Sequence, residues 1–122
     1  MPDRAQTLYE PTVRRKSNLI WTSISISASG DNTIITPTAG YALRIVFLAF
    51  VCNGAVNVIL YEGTSAEGQT AMTGVMNFTP YGGLVWDRDK NPIPLDLDSS
   101  FVMNLSAAIQ VSGLLLSYEI PF

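Results

Sequence analysis

Histidine is absent from all 122 residues of this chain. With it go the commonest zinc ligand and the usual general base near neutral pH, so the standard nucleophile-histidine triads are excluded. Cysteine is nearly absent as well. Cys52 stands alone, which rules out an intramolecular disulfide and gives a slight indication of a reducing place of assembly; its setting, Ala49-Phe50-Val51-Cys52, reads as a strand interior. Charge is sparse, at 14% of residues. The longest apolar stretch, Leu43 to Cys52, is interrupted by Arg44 and is far shorter than a spanning helix requires. The opening Met1-Pro2-Asp3-Arg4 is polar with no apolar run behind it, so neither a signal peptide nor a membrane span is expected.

What is present is apolar residues, 48% of the chain, enough for one domain that buries a core without covalent staples. The charges are unevenly placed. Residues 1–19 hold Arg4, Arg14, Arg15 and Lys16 against Asp3 and Glu10, a balance of +2, while residues 20–122 hold Arg44, Arg88 and Lys90 against eight acidic residues, a balance of −5. An acidic body offers no continuous positive track for phosphates, so no nucleic-acid partner is expected. The short basic run suits a single phosphate or a carboxylate surface equally.

Residues 1–19 mix Pro2, Pro11, polar groups and charge, and read as an extended N-terminal arm. Two readings stand side by side: a disordered tail, or a strap that orders against a neighbour through Leu8, Tyr9 and Val13.

From Ile20 onward the pattern has a period of two. Ile20, Thr22, Ile24 and Ile26 share one side and Ser23, Ser25 and Ser27 the other, as in a strand with one wet face. Residues 28–32 read as a turn and 33–36 as a short strand. The run 41–52 reads as a central strand, with Leu43, Ile45, Phe47, Ala49 and Val51 on one side and Val46, Leu48 and Phe50 on the other; a helix is the competing reading, and β-branched and aromatic content favours the strand. Asn53-Gly54 predicts a hairpin into a strand carrying Val56, Val58 and Leu60. The loop 62–69 ends it. A further pair of strands is expected at about 71–78 and 82–87, joined by Thr79-Pro80-Tyr81-Gly82-Gly83. Then come a charged loop, Asp87-Arg88-Asp89-Lys90-Asn91-Pro92, and strands around Phe101 to Leu105 and Leu114 to Ile120. Seven to nine short strands without an amphipathic helix leave an all-β sandwich, jelly roll or barrel.

Chemistry-bearing groups are few. Asp87, Asp89, Asp96 and Asp98 fall in one stretch at spacings that suit a calcium site or a carboxylate pair, but Pro92 and Pro94 separate the pairs and no EF-hand pattern is present, so a solvated loop is expected and no metal or cofactor. Gly82-Gly83 lacks the lysine and helix of a phosphate loop. Lys90 lies in a charged loop that keeps its pKa high. No catalytic residues are assigned. Exposed aromatics would suit a sugar or base platform; among Trp21, Tyr41, Phe78, Tyr81 and Trp86, the candidates kept as a ligand platform are Tyr81 and Trp86, with rim or core packing as the alternative.

Several segments nonetheless look alike to a known kind of protein. The succession Gly30-Asp31-Asn32-Thr33-Ile34-Ile35, Gly40 before Leu43-Arg44-Ile45, Gly54-Ala55-Val56-Asn57-Val58, Thr73-Gly74-Val75-Met76, the pair Gly82-Gly83, and Leu105-Ser106-Ala107-Ala108-Ile109-Gln110-Val111-Ser112-Gly113-Leu114 with Tyr118-Glu119-Ile120 resembles small virion proteins of tailed bacteriophages. The likeness covers roughly residues 28–120. It implies a jelly-roll-like antiparallel β-sandwich and the role of a head decoration, or cement, protein: a non-enzymatic virion component, assembled in the host cytoplasm, that sits on the outer surface of the capsid and braces adjacent major capsid protein subunits as a homotrimer or homodimer. Neither a nucleic-acid nor a membrane partner is implied. The arm residues Leu8, Tyr9, Val13, Arg14, Arg15 and Lys16 are then the expected capsid or subunit-binding set. A phage head-fibre, tail or receptor-binding domain, with carbohydrate as a ligand, is the alternative. The charged 87–90 loop and the longer 62–69 loop depart from the commonest form.

Overall fold

A computed structural model of the chain describes residues 19–121; the arm residues Leu8, Tyr9, Val13, Arg14, Arg15 and Lys16 lie outside them. Ten strands follow in order: β1 (Ile20–Ile26), β2 (Gly30–Ile35), β3 (Tyr41–Cys52), β4 (Val56–Glu62), β5 (Thr70–Ala71), β6 (Met76–Phe78), β7 (Gly83–Asp87), β8 (Ile93–Leu97), β9 (Phe101–Leu105) and β10 (Val111–Pro121), with one 3-10 turn at Ser65–Glu67. They form two antiparallel sheets that close on one core. One runs β1-β10-β3-β7, with β8 also on β3; the other runs β2-β9-β4-β5, with β6 also on β4.

The extra pairings are interrupted strands. β7 pairs residues 47–51 of β3 and β8 pairs residues 42–45, in the same direction along the same edge. β5 and β6 divide β4 in the same way. Counting each interrupted strand once leaves eight strands in two four-stranded sheets, ordered 1-8-3-6 and 2-7-4-5. That connectivity is the double Greek key of a jelly roll.

Two expected hairpins are thereby corrected. β3 and β4 lie in different sheets, so the Asn53-Gly54 turn crosses the sandwich; Asn53 N–H donates to Gln110 O at 2.8 Å, and Gly54 packs on Ile109. β6 and β7 are likewise split between sheets by the 79–82 turn, where Tyr81 N–H donates to Cys52 O and Cys52 N–H to Gly82 O, both at 2.7 Å. A turn dipeptide reverses the chain, but burying both apolar faces decides which strand each one pairs. The hairpin that does form joins β4 to β5 through residues 63–69. Other differences are local: the expected strand at 71–78 breaks at 72–75, β2 begins earlier than expected at Gly30, and β8 occupies a stretch in which no strand was expected. Pro94 is tolerated in β8 because that strand lies on a sheet edge.

The core is Ile24, Leu43, Ile45, Leu48, Phe50, Val58, Leu60, Phe101, Met103, Leu105, Val111 and Leu115 with their neighbours. Phe50 meets Phe78 of the opposite sheet edge-on, ring centres 5.5 Å apart. The side assignment of β3 needs correction. Leu116 pairs with Phe47 and the next residue, Ser117, pairs with Ile45, so Val46 is the extra residue of a β-bulge. The side facing the core therefore changes parity: Leu43 and Ile45 before the bulge, Leu48, Phe50 and Cys52 after it. Phe47, Ala49 and Val51 face outward.

Two glycines let backbones approach closely. A Cβ on Gly113 would fall on the Ala49 carbonyl oxygen, and one on Gly83 on that of Phe50. Gly113→Ala is expected to cost about 3 kcal/mol or more, since relief requires moving the central strand. Chemical denaturation measures it; a loss below about 1 kcal/mol would show that the strands separate easily there. Ser117 is fully buried and its hydroxyl has no hydrogen-bond partner among the described residues, so Ser117→Ala is expected to raise stability in the same assay, by about 1 kcal/mol.

Candidate functional site

The two interrupted strands lie on the same flank of the sandwich, and their breaks open a cleft of about 390 Å³ between the sheets. Glu62 ends β4, Thr70 and Ala71 form β5, and Met72 follows; Trp86 comes from β7, Arg88 from the excursion after it, and Ile93 and Pro94 from β8. Trp86 pairs with the core residue Leu48, which turns its ring inward to make the apolar floor together with Met72 and Ile93. Arg88 is held at the mouth: its backbone N–H donates to Val46 O at 2.7 Å and its Nε to Asn91 O at 3.0 Å. The volume and the mixture of an aromatic wall with a few polar groups are those of a small-ligand site.

Electrostatics distinguish two glutamates. Glu62 is half-buried in the cleft, and one of its carboxylate oxygens accepts the Asp96 N–H at 2.7 Å. Burial pushes its carboxyl above the usual range and the nearby Asp96 charge adds to this, against the lowering by the Asp96 amide. Glu67 does the reverse. Its carboxylate accepts Ser100 N–H at 3.0 Å, Thr64 N–H at 3.0 Å and the Ser100 hydroxyl at 3.2 Å, and the Ser100 amide first, then Thr64, hold its carboxyl below the usual range. Glu67 thus ties the 63–69 loop to the start of β9.

The two platform residues do not come together. Trp86 lines the cleft, whereas Tyr81 sits on the 79–82 turn at positive φ (67°), 76% exposed and outside the cleft lining. Nor do the four aspartates converge. Asp98 accepts the Gly40 N–H at 2.7 Å and so fixes a turn, Asp96 binds Glu62 through its own amide, and Asp87 and Asp89 belong to the 87–91 loop, which encloses a hollow of about 340 Å³ lined by those five consecutive residues. Among the described residues no three His, Cys, Asp or Glu side chains are placed to hold a metal. Cys52 is buried, which raises its thiol pKa and lowers its reactivity. Among the described residues no helix is long and apolar enough to cross a membrane. Sequence reasoning missed Glu62 as a cleft residue, because it sits on the neighbouring sheet far along the chain from Trp86; its position at the end of an apolar strand was the available signal.

A second surface is apolar and open. Among the described residues six large apolar side chains are exposed, and four of them, Trp21, Val51, Val85 and Leu97, project by register from the outer face of the β1-β10-β3-β7/β8 sheet.

The glutamates make opposite contributions with pH. A raised carboxyl stabilises the fold most below the unfolded pKa of ~4.3, and that contribution is lost as pH rises through the higher folded value. Glu62→Gln is therefore expected to gain in melting temperature against the native chain between pH 4 and 7. A lowered carboxyl contributes above ~4.3 and loses that contribution as pH falls through the folded value. Glu67→Gln is expected to melt lower at pH 7, with the gap closing towards pH 3. Parallel shifts of both variants across this range would contradict the assignment.

Compared with known proteins, the chain matches no family model and no curated protein.

Proposed function

We propose that this chain is a non-enzymatic virion structural protein that binds the outer surface of a bacteriophage capsid and stabilises contacts between major capsid protein subunits. The observation that carries the reading is the jelly-roll strand order in a chain whose likeness to phage virion proteins runs through its glycines. Gly83 and Gly113, both within that likeness, are the positions where a Cβ would strike the backbone of the central strand, so the resembling residues are ones this architecture requires. Fold alone does not assign function. The added support is chemical: the chain has no histidine, its lone thiol is buried, and the Asp98 and Glu67 carboxylates are held by backbone amides of neighbouring turns and strand starts. A rigid two-sheet block of this kind presents surfaces without moving, and the basic run Arg14-Arg15-Lys16 supplies charge that sets register and encounter rate against acidic capsid positions.

The cleft favours a second reading, a head-fibre, tail or receptor-binding domain that takes a carbohydrate. Trp86 offers a stacking surface, with Glu62, Thr70 and Arg88 around it as hydroxyl partners.

Electron microscopy of particles with and without the protein separates the two. The capsid reading expects regular, many-copy density on the outer head lattice and a higher melting temperature for decorated heads. Density confined to a few copies on a tail or fibre, with saturable glycan binding abolished by Trp86→Ala, would replace it with the second reading.

A further inference from the structure

Two charged side chains line the flank cleft, Glu62 and Arg88, and among the described residues they form no ion pair with each other. Arg88 is exposed, and its Nε donates to Asn91 O at 3.0 Å, within its own loop. Glu62 is half-buried and accepts the Asp96 N–H at 2.7 Å, with the Asp96 carboxyl beside it. Burial disfavours the ionised form of Glu62, and the neighbouring charge adds to this. A carboxylate drawn partly out of water without a counter-charge is costly. A cation delivered by a ligand would relieve it.

The rest of the lining says what kind of cation. Trp86, Met72 and Ile93 make an apolar floor, which a hydrated metal ion has no use for, and among the described residues no three metal-ligating side chains converge. An organic cation uses both parts of the cleft. A primary ammonium brings three donors for the Glu62 carboxylate and the Thr70 hydroxyl, while its carbon body lies on the indole, the best aromatic partner for a cation. The wider field agrees, because residues 20–122 carry a balance of −5, which draws cations and repels anions. At about 390 Å³ the cleft is at the small end of ligand sites. A short carbon chain or a small sugar fits it.

We propose that the flank cleft binds a primary ammonium group carried on a small organic body, with the ammonium on Glu62 and the body on Trp86. This differs from a sugar held through its hydroxyls alone. An amino sugar and an aliphatic amine both offer the chemistry; in the amino-sugar form the inference rests on the carbohydrate reading of the cleft, and in the aliphatic form it stands apart from it.

Isothermal titration calorimetry of the full chain in low salt, where the ionic contact is least screened, tests this with three probes: putrescine, a glucosamine disaccharide, and the N-acetylated disaccharide, whose amides carry no charge. At least one of the two amines is expected to bind saturably, and the N-acetylated sugar at least tenfold more weakly. Glu62→Gln keeps the size of the side chain and is itself expected to fold with undiminished stability, yet to weaken amine binding by about tenfold or more, as the loss of a charge-assisted hydrogen bond does. Asp31→Asn removes one negative charge from β2, on the other sheet, and is expected to leave binding unchanged. Tighter binding of putrescine identifies an aliphatic source, and tighter binding of the glucosamine disaccharide a sugar source. Failure of both amines to bind, equal losses in the two variants, or an N-acetylated sugar that binds as well as the amino sugar overturns the proposal. That last outcome leaves the carbohydrate reading standing, whereas putrescine binding with neither sugar bound removes that reading and keeps the proposal.

Discussion

The antiparallel pairing of β3 with β10 is the constraint on which the rest of the sandwich depends. It runs the length of both strands, sets the middle of one sheet, and decides through Val46 which side chains reach the core. Without the extra residue, either Leu43 and Ile45 or Leu48 and Phe50 would face solvent, because a strand presents alternate residues to each side. The same residue anchors the flank: the Val46 carbonyl accepts the Arg88 amide at the point where the edge strand leaves the sheet between β7 and β8. The bulge and the excursion are one irregularity seen from the two sides of β3, and with the break between β5 and β6 they open the cleft.

The strand content and alternation were legible where one side is marked by polar groups. Ser23 and Ser25 declare the outer side of β1, and the alternation of Phe101, Met103 and Leu105 with Asn104 declares β9. Between 43 and 51 no polar residue after Arg44 marks a side, so the parity change at Val46 left no trace in composition. Turn residues located chain reversals at Asn53-Gly54 and Thr79 to Gly83, yet carried no information on which sheet the next strand joins. β8 was hidden by Pro92 and Pro94, which argue against a central strand and are harmless on an edge. The cleft was half legible. An aromatic at 86 was a candidate, but its neighbours Glu62 and Thr70 reach it only through the crossing connections.

The apolar outer face and the flank cleft divide the molecule between two kinds of contact. The face carries the exposed Trp21, Val51, Val85 and Leu97, suited to another protein surface. The cleft is narrow, with an aromatic floor, a carboxyl raised by burial and a guanidinium at its mouth, suited to a small polar ligand. The proposed capsid role would call on the first and leave the second open to a small ligand. The jelly-roll order gives a rigid two-sheet block, and the lone thiol is buried within it.

The paired interruptions in the edge strands also say where this molecule can change. At residues 74–75 and 90–92 the strand-to-strand pairing is already interrupted, so added residues lengthen a loop and leave every register in place. Doubling such a loop costs only about 0.6 kcal/mol in closure entropy. That flank is accordingly the natural site for grafting a foreign peptide, and a particle carrying many copies of the chain would display it as a dense, regularly spaced array.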